Sequence, residues 1–209
     1  DEAAAAAHAD AAERGAFFIE PFDARDTVIG QGTVAAEIIA QLSSLGKALD
    51  TVVVPVGGGG LISGITSYLA DMAPRTAVVG IEPAGAASLS AAFAAGEPVT
   101  LESVDPFVDG AAVKRIGEFP FKILEANQGR LHWDIVSEGA VCTEQLALYQ
   151  NEGIIAEPAG ALSVTGLRTL NLQPGSTVVC VISGGNNDVL RYAEIMERSL
   201  VHRGLKHYF

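Results

Sequence analysis

Val52-Val53-Val54-Pro55-Val56-Gly57-Gly58-Gly59-Gly60-Leu61 is the stretch from which the rest of this 209-residue chain can be read. The β-branched run lacks polar alternation, the pattern of a strand buried on both faces of a parallel sheet. Four glycines follow. With no Cβ atoms in the way, several of their backbone N–H groups can converge on one anion. Leu61, Ile65 and Leu69 then recur at helical spacing, which sets a helix N-terminus against the same anion. Strand, glycine loop and helix in this order read as a phosphate cup, against the alternative of a tight turn with no ligand. Four consecutive glycines cost more chain entropy than such a turn needs, which favours the cup. No Gly-Lys-Ser/Thr end follows, which argues against nucleoside triphosphates. The spacing is not Gly-x-Gly-x-x-Gly either, although Glu82 ends the next strand and keeps a dinucleotide open. A single phosphate monoester suits the compact loop best.

Downstream, Ala77-Val78-Val79-Gly80-Ile81 reads as a second strand, followed by Glu82-Pro83 and a helix over residues 86–95 closed by Gly96. The alternation implies an α/β fold: an open, mostly parallel twisted sheet with helices on both faces and ligands at the carboxyl ends of the strands. Residues 106–117 read as irregular, 119–125 as helix, 132–136 as strand and 138–152 as helix. A further helix ends near 170, and residues 177–182 form the last buried strand, which runs into Ser183-Gly184-Gly185-Asn186-Asn187. Residues 189–199 read as a charged surface helix.

Upstream, an alanine-rich helix runs from the first residue to Arg14 and stops at Gly15. Ala16-Phe17-Phe18-Ile19 reads as a short strand and residues 21–26 as a loop. Gly30-Gln31-Gly32-Thr33 reads as a turn, its glycines there for turn geometry, with Thr33 capping a helix over 34–45. An opening in mid-helix without Met points to a fragment.

Composition narrows the function. The chain is 49% hydrophobic and 18% charged, hence globular, and its net charge of −12 argues against nucleic acid and anionic membrane surfaces. No apolar run approaches the ~20 residues of a membrane span. Two cysteines, Cys142 and Cys180, and no signal peptide point to a reducing cytoplasm. His8, His132, His202 and His207 show no metal-ligand spacing.

Several segments together resemble the fold-type II pyridoxal-phosphate enzymes, over nearly the whole chain from about residue 16. Gly57-Gly58-Gly59-Gly60-Leu61 is similar to that family's cofactor phosphate cup, and Ser183-Gly184-Gly185-Asn186 to its motif near the pyridine nitrogen. Pro21-Phe22, Gly30-Gln31-Gly32-Thr33, Val108-Asp109-Gly110, Lys114-Arg115 and Ala156-Glu157-Pro158-Ala159-Gly160-Ala161 resemble the threonine ammonia-lyase (threonine dehydratase) branch. Residues 200–209 resemble the junction to a regulatory domain in the shorter biosynthetic type.

The resemblance implies pyridoxal 5'-phosphate as cofactor, bound through Gly57, Gly58, Gly59, Gly60, Leu61, Gly110, Glu157, Ser183 and Gly184. The N–H groups of residues 57–60 would take the phosphate, Ser183 would hydrogen-bond the pyridine nitrogen, and Glu157 would lie near the ring edge. A hydroxyl at the nitrogen cannot fully protonate the ring, which suits elimination over transamination. The implied reaction is dehydration and deamination of L-threonine to 2-oxobutanoate and ammonia, the first step of isoleucine biosynthesis, in an allosteric homo-oligomer.

Departures from the family pattern sharpen the expectation. The family's Schiff-base lysine has no counterpart among Lys47, Lys114, Lys122 and Lys206, so no catalytic residue is assigned and the chain alone is expected to be inactive. The loop that holds the substrate carboxylate is also missing. Residues 1–29 are then the end of a small domain and 30–199 a partial large cofactor-binding domain. Residues 200–209 are a linker toward a regulatory domain, with a lysine-bearing N-terminal segment as the other missing partner. Some relatives bind a divalent cation through an acid at the position of Glu82 and a second acid where Ser88 stands. Glu82 is thus the single metal candidate, and with Ser88 beside it no metal site is assigned. A serine dehydratase or racemase, or a non-catalytic phosphate-binding fragment, are the alternatives.

Overall fold

The computed structural model describes residues 2–209. Its centre is a four-stranded, all-parallel sheet in the order β3-β2-β1-β4. The strands are β1 (Thr51–Pro55), β2 (Ala77–Pro83), β3 (Leu131–Val136) and β4 (Val178–Cys180). Thr51 stands opposite Ala77 on one side and Val178 on the other, so β1 has neighbours at both edges. Successive side chains of β1 point to opposite layers. Val52 and Val54 pack with Ile62, Ile65, Leu69 and Leu89 on one face, and Val53 packs with Val79, Ile81, Val141 and Leu162 on the other. Helices on both faces leave the strand no polar side, which is why its sequence is uniformly apolar.

Around the sheet lie α1 (Glu2–Arg14), α2 (Arg25–Ser44), α3 (Gly60–Met72), α4 (Ser88–Ala95), α5 (Glu118–Ala126), α6 (Glu138–Ala147), α7 (Pro158–Leu167) and α8 (Tyr192–His202). Gly96 ends α4 in the left-handed conformation, φ +79°, where glycine carries no Cβ penalty. Ser137 caps α6, its hydroxyl accepting from the N–H of Ala140 at 3.3 Å. None of the helices among the described residues is long and apolar enough to cross a membrane.

The structure corrects the sequence reading in several places. The expected strand at residues 16–19 does not form; Phe17 and Ile19 are 86% and 73% exposed, and a strand without a neighbour has nothing to satisfy its backbone. The expected loop, turn and helix over residues 21–45 are largely one helix, α2, which starts at Arg25 and runs through Gly30 and Gly32. Thr33 is therefore no cap; its hydroxyl donates to the carbonyl of Gly30 at 2.7 Å inside the helix. The glycines there are not turn residues. A Cβ on Gly32 would lie 3.1 Å from the carbonyl oxygen of Gly64 on α3, and one on Gly64 would lie 2.7 Å from the Gly32 nitrogen. Two backbones crossing this closely need glycine on both helices, and packing against α3 outweighs the low helix propensity.

Toward the C-terminus, the helix expected to reach residue 152 gives way to a π-helical turn, Leu148–Glu152, and the helix expected to reach 170 ends at Leu167. Residues 106–117, read as irregular, hold one 3-10 turn, Asp109–Ala111. The last strand is short and only half-buried, because β4 is an edge of the sheet. The charged helix near the end is not purely a surface element: a 3-10 turn, Val189–Arg191, precedes α8, and Ile195 of α8 is fully buried in the core that holds Val141. Beyond it Leu205, Tyr208 and Phe209 stay exposed rather than folding back on the sheet.

Candidate functional site

The carboxyl end of β1 opens directly into the glycine loop. Gly59 takes φ +88°, a conformation open to glycine, and forms the N-cap of α3. Among the described residues, the N–H groups of Gly57, Gly58, Gly59 and Gly60 donate to no other group of the chain. They stand at a helix N-terminus, where the helix dipole adds to the attraction for an anion. The loop leaves no room for side chains. A Cβ on Gly57 would lie 3.0 Å from Ala111 Cα, one on Gly59 2.9 Å from Ile116 Cγ1, one on Gly60 3.0 Å from Phe22 Cα, and one on Gly58 would overlap the Phe22 ring.

Gly57, Gly58, Gly59, Gly60 and Leu61 share a cleft of about 330 Å³ with Gly110, Glu157 and Ser183, and with Phe22, Gln31 and Ala111. That lies at the lower end of ligand pockets, about 300–1,000 Å³. Larger clefts exist, including one of about 440 Å³ along α2 and α3 whose lining is mostly apolar. Among the described residues, the glycine cleft gathers four backbone N–H groups that donate to nothing else in the chain.

The far wall is built from side chains. Glu157 sits at the N-cap of α7 ahead of Pro158; its N–H donates to the Gly184 carbonyl and its Oε2 accepts from the Asn186 N–H, both at 3.1 Å. A Cβ on Gly110 would lie 2.9 Å from Glu157 Oε1, and one on Gly184 would overlap the same carboxylate. The glycines at 110 and 184 are thus the clearance for this carboxylate. Ser183 is exposed in the cleft. Behind it, Gln145 Nε2 donates to the Ala156 carbonyl at 2.8 Å and to Asn187 Oδ1 at 3.2 Å, and Asn187 Nδ2 also donates to Ala156.

All of the cofactor-binding candidates but one therefore line a single cleft. Gly184 is held behind it, in contact with Glu157. Lys114 is exposed and outside the lining. Phe22, Asp23, Ala111, Gln145 and Asn187 received no role from the sequence. Asp23 accepts from the N–H groups of Glu118 and Phe119 at 3.0 and 2.9 Å, capping α5 from 95 residues away. Pro21-Phe22 was visible as a motif and Asp23 only as part of the loop after it, because a contact across that distance leaves no local signal.

Glu82, the metal candidate, is engaged elsewhere. Its Oε1 accepts from the N–H of Leu89 at 2.6 Å, and its Oε2 accepts from the N–H and hydroxyl of Ser90 at 2.9 and 2.6 Å. Burial raises its pKa, and the hydrogen bonds from Ser90 and Leu89 pull it back down. The carboxylate is the cap of α4. Burial also pushes the Cys142 thiol up to about 12, which makes it a packing residue rather than a nucleophile.

The glycine cradle fits a phosphate ester, and comparison with known proteins extends that fit. Residues 1–184 match the family profile described as pyridoxal-phosphate dependent enzyme. The biosynthetic L-threonine dehydratase of Corynebacterium glutamicum is 73% identical over all 209 residues, and that of Mycobacterium tuberculosis strain H37Rv is 61% identical. This chain covers 48% of each of these relatives, so it spans about half their length. The solved structure of the processed form of threonine deaminase isoform 2 from Solanum lycopersicum superimposes with a TM-score of 0.80 at 31% identity, covering 90% of this chain and 54% of that one.

Proposed function

Since this chain belongs to the pyridoxal-phosphate dependent enzyme family, we propose that it is the cofactor-binding part of a threonine ammonia-lyase, which converts L-threonine to 2-oxobutanoate and ammonia for isoleucine synthesis. One observation carries the reading. Four unpaired backbone N–H groups at the start of α3 face a cleft that Gly110, Glu157 and Ser183 complete. Residues 57–60 bind the phosphate ester by backbone donation alone, with Leu61 beside them. The Ser183 hydroxyl is the group for the ring nitrogen. Glu157 fixes Gly184 and Asn186 and so orients the strand end that carries Ser183. When bound, pyridoxal phosphate supplies the electron sink that makes the Cα proton of an amino acid acidic. The Schiff-base lysine and the substrate-carboxylate loop belong to the remainder of a longer protein; the coverage of relatives supports this.

The same reading divides the chain into residues 1–29, at the end of a small domain, and 30–199, in the large domain. Residues 200–209 lead to a regulatory domain, and α2 runs unbroken through the first division. Exposed Leu205, Tyr208 and Phe209 support a packing partner beyond α8. Apolar Phe17 and Ile19, also exposed, are surfaces on which a homo-oligomer or the rest of the small domain can pack. Two free cysteines fit a reducing cytoplasm.

The test is the full-length protein supplied with pyridoxal phosphate and either L-threonine or L-serine. The reading expects 2-oxobutanoate from threonine in preference to pyruvate from serine, and no turnover by residues 1–209 alone. Serine racemisation without release of 2-oxobutanoate would overturn it.

A further inference from the structure

The wall of the cleft at Gly110 and Ala111 is held from behind. Phe107, 3% exposed, begins the segment that leads into it, and two guanidinium groups stand over its ring: Arg191 at 4.9 Å and Arg198 at 4.1 Å from the centroid. Arg191 Nη2 also donates to the Phe107 carbonyl at 2.7 Å, and its Nη1 to Asp109 Oδ2 at 3.2 Å. Arg198, on α8, pairs with Asp105 at 3.6 Å and donates to Glu194 at 2.9 Å. On the other side of the segment there is no slack. A Cβ on Gly110 would lie 2.9 Å from Glu157 Oε1, and one on Gly57 would lie 3.0 Å from Ala111 Cα.

We propose that Arg191 and Arg198 are positioning residues for the cofactor: through Phe107 and Asp109 they press Gly110 and Ala111 against Glu157 and the glycine loop. Neither guanidinium lines the cleft. A cation over an aromatic face, combined with hydrogen bonds to the flanking carbonyl and carboxylate, fixes both the position and the rotation of the segment. The C-terminal helix and the turn before it are thereby tied to the wall of the cofactor cleft through Phe107 and Asp109. The inference rests on the cleft being the cofactor site.

The experiment titrates pyridoxal phosphate into the full-length apo-protein, reading the dissociation constant from cofactor absorbance and the apo-protein's melting temperature alongside. Gly58→Val serves as the control for the site itself and is expected to abolish binding. The double variant R191Q/R198Q should weaken binding about tenfold, a change of roughly 1.4 kcal/mol. Phe107→Leu should weaken it in the same direction, and adding it to R191Q/R198Q should cost nothing further. Arg198→Lys, which keeps a cation over the ring, should bind more tightly than Arg198→Gln. A dissociation constant within twofold of the parent in R191Q/R198Q overturns the proposal, whether or not the melting temperature falls. Fully additive losses with Phe107→Leu also overturn it. Should the double variant not fold, Arg198→Gln and Phe107→Leu are read singly, and parent-like affinity in both overturns it. If Gly58→Val binds as the parent does, the cofactor-site reading fails and this inference with it. If only the arginine variants bind normally, the inference alone fails.

Discussion

β1 and β4 are both Val-rich runs that lead into glycine-containing loops, yet they deliver those loops in opposite ways. β1 is central, with Val52, Val53 and Val54 fully buried, and it ends in a cup formed by removing side chains. β4 is three residues at the sheet edge, half-buried, and its loop is held by the side chains of Glu157, Gln145 and Asn187. The phosphate side of the cleft is therefore main chain packed directly against its surroundings, Ala111 and Phe22 backbone at Gly57 and Gly60 and the Phe22 ring and Ile116 at Gly58 and Gly59, with little room to adjust. The Ser183 side rests on a few side-chain hydrogen bonds, each worth only about 0.5–1.5 kcal/mol net. Position in the sheet, rather than the residue pattern, separates the rigid half of the site from the adjustable one.

The contrast can be broken most directly at the cup. Gly58→Val in the full-length protein should reduce affinity for pyridoxal phosphate by a factor on the order of 100 or more, because the new side chain overlaps Phe22. Retained affinity would mean that the cup tolerates side chains and is no more rigid than the other wall. Val53→Ala should lower unfolding free energy by about 2–3 kcal/mol, and Val179→Ala by about 1 kcal/mol or less, as burial dictates. Equal losses in denaturant titrations of the full-length protein would show β4 covered there by another segment, which would erase the difference. Asn187→Ala should cost about 1 kcal/mol and loosen Ser183, seen as a weaker cofactor with little change in melting temperature. A pH series gives the smallest effect. Burial raises Glu82 above its ordinary 4.5, so the folded chain holds that proton more tightly than the unfolded one. Stability from this group is complete below 4.5 and is lost as pH rises through the raised value. Glu82→Gln should remove that slope; identical pH profiles for parent and variant would contradict it.

What the sequence disclosed follows the same division. The strand, tetraglycine and helix around residue 57 are local, and each residue type states its own reason, so the cup and the sheet class were legible. Residues 156–161 and 183–184 became legible as part of one site through family resemblance, since no spacing brings Glu157 to Gly184. The turn assigned at Gly30 and Gly32 failed because only α3, some thirty positions away, makes Gly32 a helix-crossing residue; Gly30 faces open space within the same helix. The strand assigned at residues 16–19 failed because a run of bulky apolar residues makes a strand only when a neighbour exists. Asp23, Arg191 and Arg198 were silent for a related reason: a charged side chain looks solvated until its distant partner is known.

The strand order also sets a timetable. β1 meets β2 almost at once, but its other edge waits for β4, whose flank at Thr177 bonds to Asp50 across 127 positions. At about 5–20 residues per second, a ribosome needs on the order of 6–25 s to supply that partner. Throughout the interval the Val-rich edge of β1 offers unpaired amides and carbonyls to any extended chain nearby. Crowded synthesis, rather than heat, is where this sheet is most open to pairing with the wrong strand.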